Sequence, residues 1–228
     1  TRSRYAEARR VATLPALGAL SGLRAEAAGL AAFYLGELAE ADAAFAALAL
    51  GATAASDVAL TGRALSLRGM VAQQRGQLGL ASDRYQEAAA RLHEVGELHA
   101  AAVAELNLGT VLAERGRASE ALPRLAASSR VFADLGATTE LTAADLNRGN
   151  ALLAVGLLED ALLAATDAIA HADRTPHLRA FALLVAGDAR RRLGDQAAAI
   201  AVYREALAIG VERGDTHAQV SAHVALAE

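Results

Sequence analysis

The feature that most restricts this chain is a spaced triplet: two glycines seven residues apart, then an alanine five residues further on, recurring along almost the whole length. It reads Gly29, Gly36, Ala41; Gly69, Gly76, Ala81; Gly109, Gly116, Ala121; Gly149, Gly156, Ala161; and Gly187, Gly194, Ala199. Successive first glycines are 40, 40, 40 and 38 residues apart. So regular a period marks units that cover one another's apolar faces in a row, an all-α solenoid rather than a single globular core.

Each unit reads as two helices. The first runs through the first glycine with apolar residues at steps of three and four, as in Val103, Leu106, Leu108, Val111 and Leu112. The second follows the other glycine, as in Glu120 to Leu135. Glycine inside a helix costs about 1 kcal/mol against alanine, so five such placements need a physical return. The expected one is close helix approach, with the second helix crossing through its small residue: Ala41, Ala81, Ala121, Ala161 or Ala199. Gly36, Gly76, Gly116, Gly156 and Gly194 fall where the first helix must turn and suit the left-handed position just past a helix end. Gly96, Gly136 and Gly214 close second helices in the same way.

The prolines are expected to fit this register. Pro176 suits the first position of a helix capped by Thr175. Pro123 suits a first turn if Ser119 is the N-cap, and Pro15 punctuates the first turn between units. Tyr5-Ala6-Glu7-Ala8 matches Tyr85-Gln86-Glu87-Ala88 and Tyr203-Arg204-Glu205-Ala206, which lie in second helices. The expected organisation is therefore a single array cut at both ends: residues 1–18 as the second helix of a preceding repeat, repeats at 19–58, 59–98, 99–138, 139–176 and 177–216, and 217–228 as the first helix of another.

Composition narrows the function. Hydrophobic residues reach 54%, but much of this is alanine. The longest uniform charge-free stretch, Ala43 to Ser56, is shorter than the roughly 20 residues that span a bilayer. The net charge of −4 is spread through the sequence, which gives no basic stripe for nucleic acid. Cysteine is absent, excluding disulfides and thiolate metal sites. All 22 basic residues are arginine, read as a high-GC genome rather than as many anion sites. A bacterial, cytoplasmic protein is the expectation, with no membrane or nucleic-acid partner.

Asn107-Leu108-Gly109, then Gly116, then Glu120-Ala121-Leu122, and likewise Gly194-Asp195, Ala199-Ile200, Tyr203 and Ala206-Leu207, resemble the tetratricopeptide repeat (TPR). The resemblance covers nearly the whole chain. The usual period is about 34, so the likeness is to the longer-helix variety of about 40, as in kinesin light chains, Pins adaptors, bacterial Rap regulators and the arrays of maltose-regulator-type ATPases. The chain departs from the pattern in lacking tryptophan and in its second-helix aromatic, which is Phe45, Tyr85 and Tyr203 but Leu125 and Ala165. The fourth unit is thus expected to pack more loosely.

The resemblance implies a right-handed superhelix of antiparallel helix pairs, whose first helices line a concave groove for peptides or helices. Its groove positions lie three before, and one, four and five after, the first glycine: Glu26, Leu30, Phe33, Tyr34; Ser66, Met70, Gln73, Gln74; Leu106, Thr110, Ala113, Glu114; Leu146, Asn150, Leu153, Ala154; Leu184, Asp188, Arg191, Arg192. Phe33 or Tyr34 could anchor a partner or pack against the preceding unit. Met70 suits an adaptable surface or the core. Gln73, Gln74 and Asn150 could bond a peptide backbone or be solvated. Arg190, Arg191 and Arg192 could meet an acidic partner or offset a helix dipole. The lysine clamp some family members use for a terminal carboxylate is absent.

Histidines 93, 99, 171, 177, 217 and 223 lack metal-ligand spacing, and no phosphate loop or nucleophile motif stands out. The expectation is a scaffold without catalysis, cofactor or metal, which binds a protein or peptide in its groove. The alternative is a regulatory array of a larger protein, an ATPase transcription regulator or a caspase-like CHAT protease, whose partner is another domain of the parent chain.

Overall fold

The computed structural model describes residues 20–227. Among them are eleven α-helices and no strand. They are α1 (Leu20–Leu35), α2 (Leu38–Ala54), α3 (Val58–Gln74), α4 (Leu78–Glu94), α5 (Leu98–Glu114), α6 (Ala118–Asp134), α7 (Thr138–Val155), α8 (Leu158–His171), α9 (Pro176–Arg192), α10 (Gln196–Arg213) and α11 (Thr216–Ala227). A single 3₁₀ turn, Ala172–Arg174, joins α8 to α9. The expected second helix at 1–18, and Pro15 with it, lie outside the described residues.

The turns follow from glycine stereochemistry. Gly36 ends α1 at φ +86°, which lets Glu37 N donate to Ala32 O at 2.9 Å and Gly36 N to Phe33 O at 3.0 Å, satisfying carbonyls that the helix end orphans. Gly76, Gly156 and Gly194 repeat this geometry. Ser56, at φ +57°, holds the same position after α2 and is the one non-glycine residue at positive φ among those described. Helix starts are capped by Asp57, Asp195 and Asp215, each accepting a backbone N–H three residues on, at 2.8, 3.1 and 3.1 Å.

Two prolines behave differently from expectation. Pro176 does open α9, but Thr175 makes no side-chain cap bond, and its buried hydroxyl has no partner. The N-cap of α6 is Arg117, not Ser119, so Pro123 lies in the second turn and leaves the Ser119 carbonyl without its helical donor.

The chain forms two compact units, divided within α5 between Val111 and Leu112. In the first, α1 packs on α2, α2 on α3 and α3 on α4. Its buried clusters are Ala32, Ala41, Phe45 and Val71, and Ala88, Ala89, Leu92, Ala101 and Ala104. In the second, α6 to α11 pack each on the next, and the first helices of successive pairs also touch, α7 on α9 and α9 on α11. One of its clusters joins Leu146, Leu152 and Leu153 of α7 to four alanines of α8 and to Val185 of α9; another gathers around Tyr203.

The first glycines show what the close approach serves. At Gly29, Gly69 and Gly187 the nearest atoms belong to an aromatic ring of the second helix. A Cβ on Gly69 would stand 2.7 Å from Tyr85 Cε1; one on Gly29 would collide with the Phe45 ring, and one on Gly187 with the Tyr203 ring. The fourth unit, where Ala165 replaces the ring, is not loose. Val185 moves into the gap, 3.0 Å from the position of a Cβ on Gly149, and Ala161, Ala164, Ala165 and Ala168 are all fully buried.

Candidate functional site

Each unit carries a cavity on the surface of its first helices. In the first unit a cavity of about 210 Å³ is lined by Glu26 of α1, Arg63, Ser66 and Leu67 of α3, and His99, Ala100 and Val103 of α5, with Leu92 of α4 at its base. In the second unit one of about 240 Å³ is lined by Asn150 of α7, by Phe181, Leu184, Val185 and Asp188 of α9, and by His217, Ser221 and Ala225 of α11. The helical repeat explains both linings. On α9 the residues step by three, one and three, and on α11 by four, so each helix offers one continuous stripe.

The second cavity has an apolar floor and a polar rim. Phe181 stacks obliquely on His217, ring centroids 5.2 Å apart, while Leu184 and Val185 are 9% and 5% exposed. At the rim Asp188 Oδ1 accepts the Tyr203 hydroxyl proton at 2.6 Å. Burial, then the bond to Asp188, pushes the Tyr203 hydroxyl up to about 12, so it remains a donor at neutral pH and fixes the carboxylate. Such a floor and rim suit one side chain of an extended segment, with apolar contact below and backbone or side-chain hydrogen bonds above. No group of three or more His, Cys, Asp or Glu among the described residues could hold a metal.

No protein-family model matches the sequence, and no curated protein matches it. Solved structures do. BtubC (BKLC) from P. vanneervenii is similar over 94% of this chain and 90% of its own, with a TM-score of 0.75 and 17% identity. The Rap conjugation gene regulator of plasmid pLS20, solved with the Phr* peptide, is similar over 90% of this chain with a TM-score of 0.70 and 15% identity; the match spans 57% of the regulator. YrrB, described as a TPR protein with an unusual peptide-binding site, is similar over 89% of this chain and 91% of its own, at TM-score 0.56 and 21% identity. The chain has the tetratricopeptide-repeat fold.

Within that TPR fold the expected groove residues divide. Asn150 and Asp188 line the second cavity, and the unit also brings Leu184 there. Glu26 and Ser66 line the first. Tyr34 is 55% exposed and meets Phe33 edge-on at 5.5 Å, while Phe33 itself packs with Leu30 against the Phe45 cluster. Met70 is half-buried and Gln74 exposed. Gln73 is turned inward, its Oε1 accepting from the Tyr85 hydroxyl at 3.2 Å. Thr110 is half-buried and donates to the Leu106 carbonyl at 2.9 Å. Leu153 is 8% exposed and belongs to the buried cluster of α7, α8 and α9. Arg190, Arg191 and Arg192 occupy the last turn of α9, and Arg192 Nη1 donates to the Leu153 carbonyl at 2.6 Å.

Sequence reasoning missed the N-terminal half of the surface. Arg63, Val103 and Phe181 lie six residues before the first glycine of their units, and His99 lies ten before Gly109. The signal was available. These positions continue the stripe of Ser66 and Leu184 by one and two helical turns toward the helix start. No helix among the described residues is long and apolar enough to cross a membrane.

Proposed function

We propose that this chain is a non-catalytic scaffold that holds a peptide, or a helical segment of a partner, along the surface of its first helices. The observation that carries the reading is the lining of the two cavities: in both units all residues but Leu92 come from first helices. The solved relatives support it. The pLS20 regulator was solved with a peptide, and YrrB is described by its peptide-binding site. In this chain Asn150, Asp188, Gln74 and the Arg191–Arg192 pair would supply polar contacts, and Tyr34, Leu30, Phe33 and Met70 apolar ones.

The test is selection of binders from a random peptide display library on the full chain, followed by affinity measurement on Ser66→Trp and Ser221→Trp, which fill the two cavities. A loss of about tenfold or more in either variant, with unchanged helicity, is expected. Equal affinity in both variants would move binding off this surface, and failure to select any peptide would sink the reading.

A further inference from the structure

Three guanidinium groups converge on one carboxylate in the first unit. Asp42 of α2 lies 3.0 Å from Arg68 Nε, 3.3 Å from Arg84 Nη1 and 3.8 Å from Arg75 Nη1. Arg68 projects from α3, Arg75 is the residue that caps the C-terminus of α3, and Arg84 projects from α4. The first two distances are hydrogen bonds, and Arg84 Nη1 also donates to the Arg68 carbonyl at 3.0 Å. The third is too long for one, so Arg75 is held to Asp42 by charge alone and its fork of N–H donors is not spent on the carboxylate.

Three cations against one anion leave a local excess of two positive charges, in a chain whose net charge is −4. The groups are partly sheltered: the side chains of Arg84, Asp42, Arg68 and Arg75 are 15%, 23%, 25% and 31% exposed. Solvent therefore screens the repulsion less than it would on an open surface. Burial, then the charge of Arg68, holds the Arg84 guanidinium below its ordinary value, and Asp42 opposes this. A second anion would relieve the crowding.

Only this repeat carries arginine at all three of these positions. Positions one before the first glycine, six after it and fifteen after it carry Arg68, Arg75 and Arg84 here, but Ala28, Leu35 and Ala44 in the repeat before, Leu108, Arg115 and Arg124 in the next, and Ala186, Leu193 and Val202 in the last. In the fourth repeat the register of Arg68 is held by Arg148, which faces two carboxylates, Asp145 at 3.6 Å and Asp167 at 3.4 Å.

We propose that Arg68, Arg75 and Arg84 form a binding site for a phosphate-type oxyanion, which competes with Asp42 for the guanidinium groups of Arg68 and Arg84. Planar guanidinium forks pair bidentately with such anions. The anion is either inorganic phosphate or the phosphoryl group of a phosphorylated side chain. None of Asp42, Arg68, Arg75 and Arg84 lines either cavity, so the anion titration does not depend on peptide binding there.

The experiment follows the arginine Nε–Hε resonances of the full ¹⁵N-labelled chain at constant ionic strength. One titration uses sodium phosphate and another N-acetyl-O-phosphoserine methylamide. The expected result is saturable shifts of Arg68, Arg75 and Arg84 with millimolar dissociation constants. Arg75→Met, at the most exposed of the three, should weaken binding about fivefold or more with unchanged helicity, and Asp42→Asn should tighten it by a similar factor by removing the competing carboxylate. If Asp42→Asn does not fold, Arg75→Met alone decides. Tighter binding of the phosphoserine analogue assigns the site to a modified side chain; equal or weaker binding assigns it to the free ion. Shifts that do not saturate, or a dissociation constant unchanged in Arg75→Met, would overturn the proposal.

Discussion

Replacing Gly69 by alanine tests the packing rule on which the fold rests, because two effects of similar size act in opposite directions. Alanine inside a helix is favoured over glycine by about 1 kcal/mol. At Gly69, however, the new methyl would stand 2.7, 2.8 and 3.1 Å from three atoms of the Tyr85 ring. That ring is 1% exposed, and its hydroxyl donates to Gln73, so it is fixed at its edge as well as by its surroundings. Tyr85 must shift by several tenths of an ångström, or α3 and α4 must part. Overpacking of this kind costs about 1–3 kcal/mol before the weakening of the Tyr85 bond is added. The net expectation is a loss of about 1–2 kcal/mol. The control is Gly51→Ala in α2, where no heavy atom lies within 4 Å of the new methyl; the same substitution there should gain up to about 1 kcal/mol.

The assay is urea unfolding followed by far-UV circular dichroism, comparing midpoints and slopes, since a repeat array can unfold in parts and a changed slope would expose that. Adding Tyr85→Leu to Gly69→Ala should recover part of the loss, giving a favourable coupling of about 1 kcal/mol. The reasoning is refuted if Gly69→Ala is as stable as the parent or more so, or if the two glycine variants shift the midpoint in the same direction.

Other consequences follow from single residues. Ser56→Gly should stabilise the chain by about 1 kcal/mol, because Ser56 bears the left-handed strain that glycine avoids at the other turns; equal midpoints in thermal unfolding would count against this. Val185→Ala should cost about 2 kcal/mol by reopening the space beside Gly149, more than Val202→Ala, which is less buried, in the same assay. The two sheltered aspartates should have opposite pH signatures. Burial raises the Asp42 carboxyl, but the Arg68 bond and the charges of Arg68, Arg84 and Arg75 outweigh it, so the folded value is depressed. Its contribution is present above the ordinary value near 3.8 and is lost as pH falls through the folded value; Asp42→Asn should therefore destabilise at pH 7, and less so in acid. Burial raises Asp145 despite the Ser129 bond and Arg148, so stability falls as pH rises from the ordinary value through the raised one. Asp145→Asn should remove that decline, as pH-dependent urea midpoints would report.

Periodicity made the helices, turns and pair register readable, because steps of three and four fix which residues share a face and glycine spacing fixes where each helix ends. It could not say which atom fills the space beside a missing side chain. Tyr85 is sixteen residues from Gly69, and only the crossing of α3 on α4 brings its ring there; in the fourth repeat the same space is filled from the next pair, by Val185. The burial of Leu153 among the alanines of α8 is likewise a matter of helix packing that a one-helix pattern does not reveal. Of the sixteen residues that line the two cavities, five were legible as groove positions: Glu26, Ser66, Asn150, Leu184 and Asp188. The others were not, because residue types vary from Arg63 to Val103 to Phe181 along a face that stays the same.

The arginine cluster extends the point from packing to function. Arg68 and Arg84 each precede a member of the Gly69–Tyr85 contact by one residue, so the fit of ring against glycine sets the distance between the two backbones and brings Arg84 Nη1 to 3.0 Å from the Arg68 carbonyl. A methyl at Gly69 that pushes the helices apart should therefore loosen the anion site too. Gly69→Ala is expected to weaken phosphate binding severalfold under conditions where the chain remains folded, while Gly51→Ala leaves it unchanged. If phosphate affinity is the same in both variants, the placement of the guanidinium groups does not depend on the helix crossing.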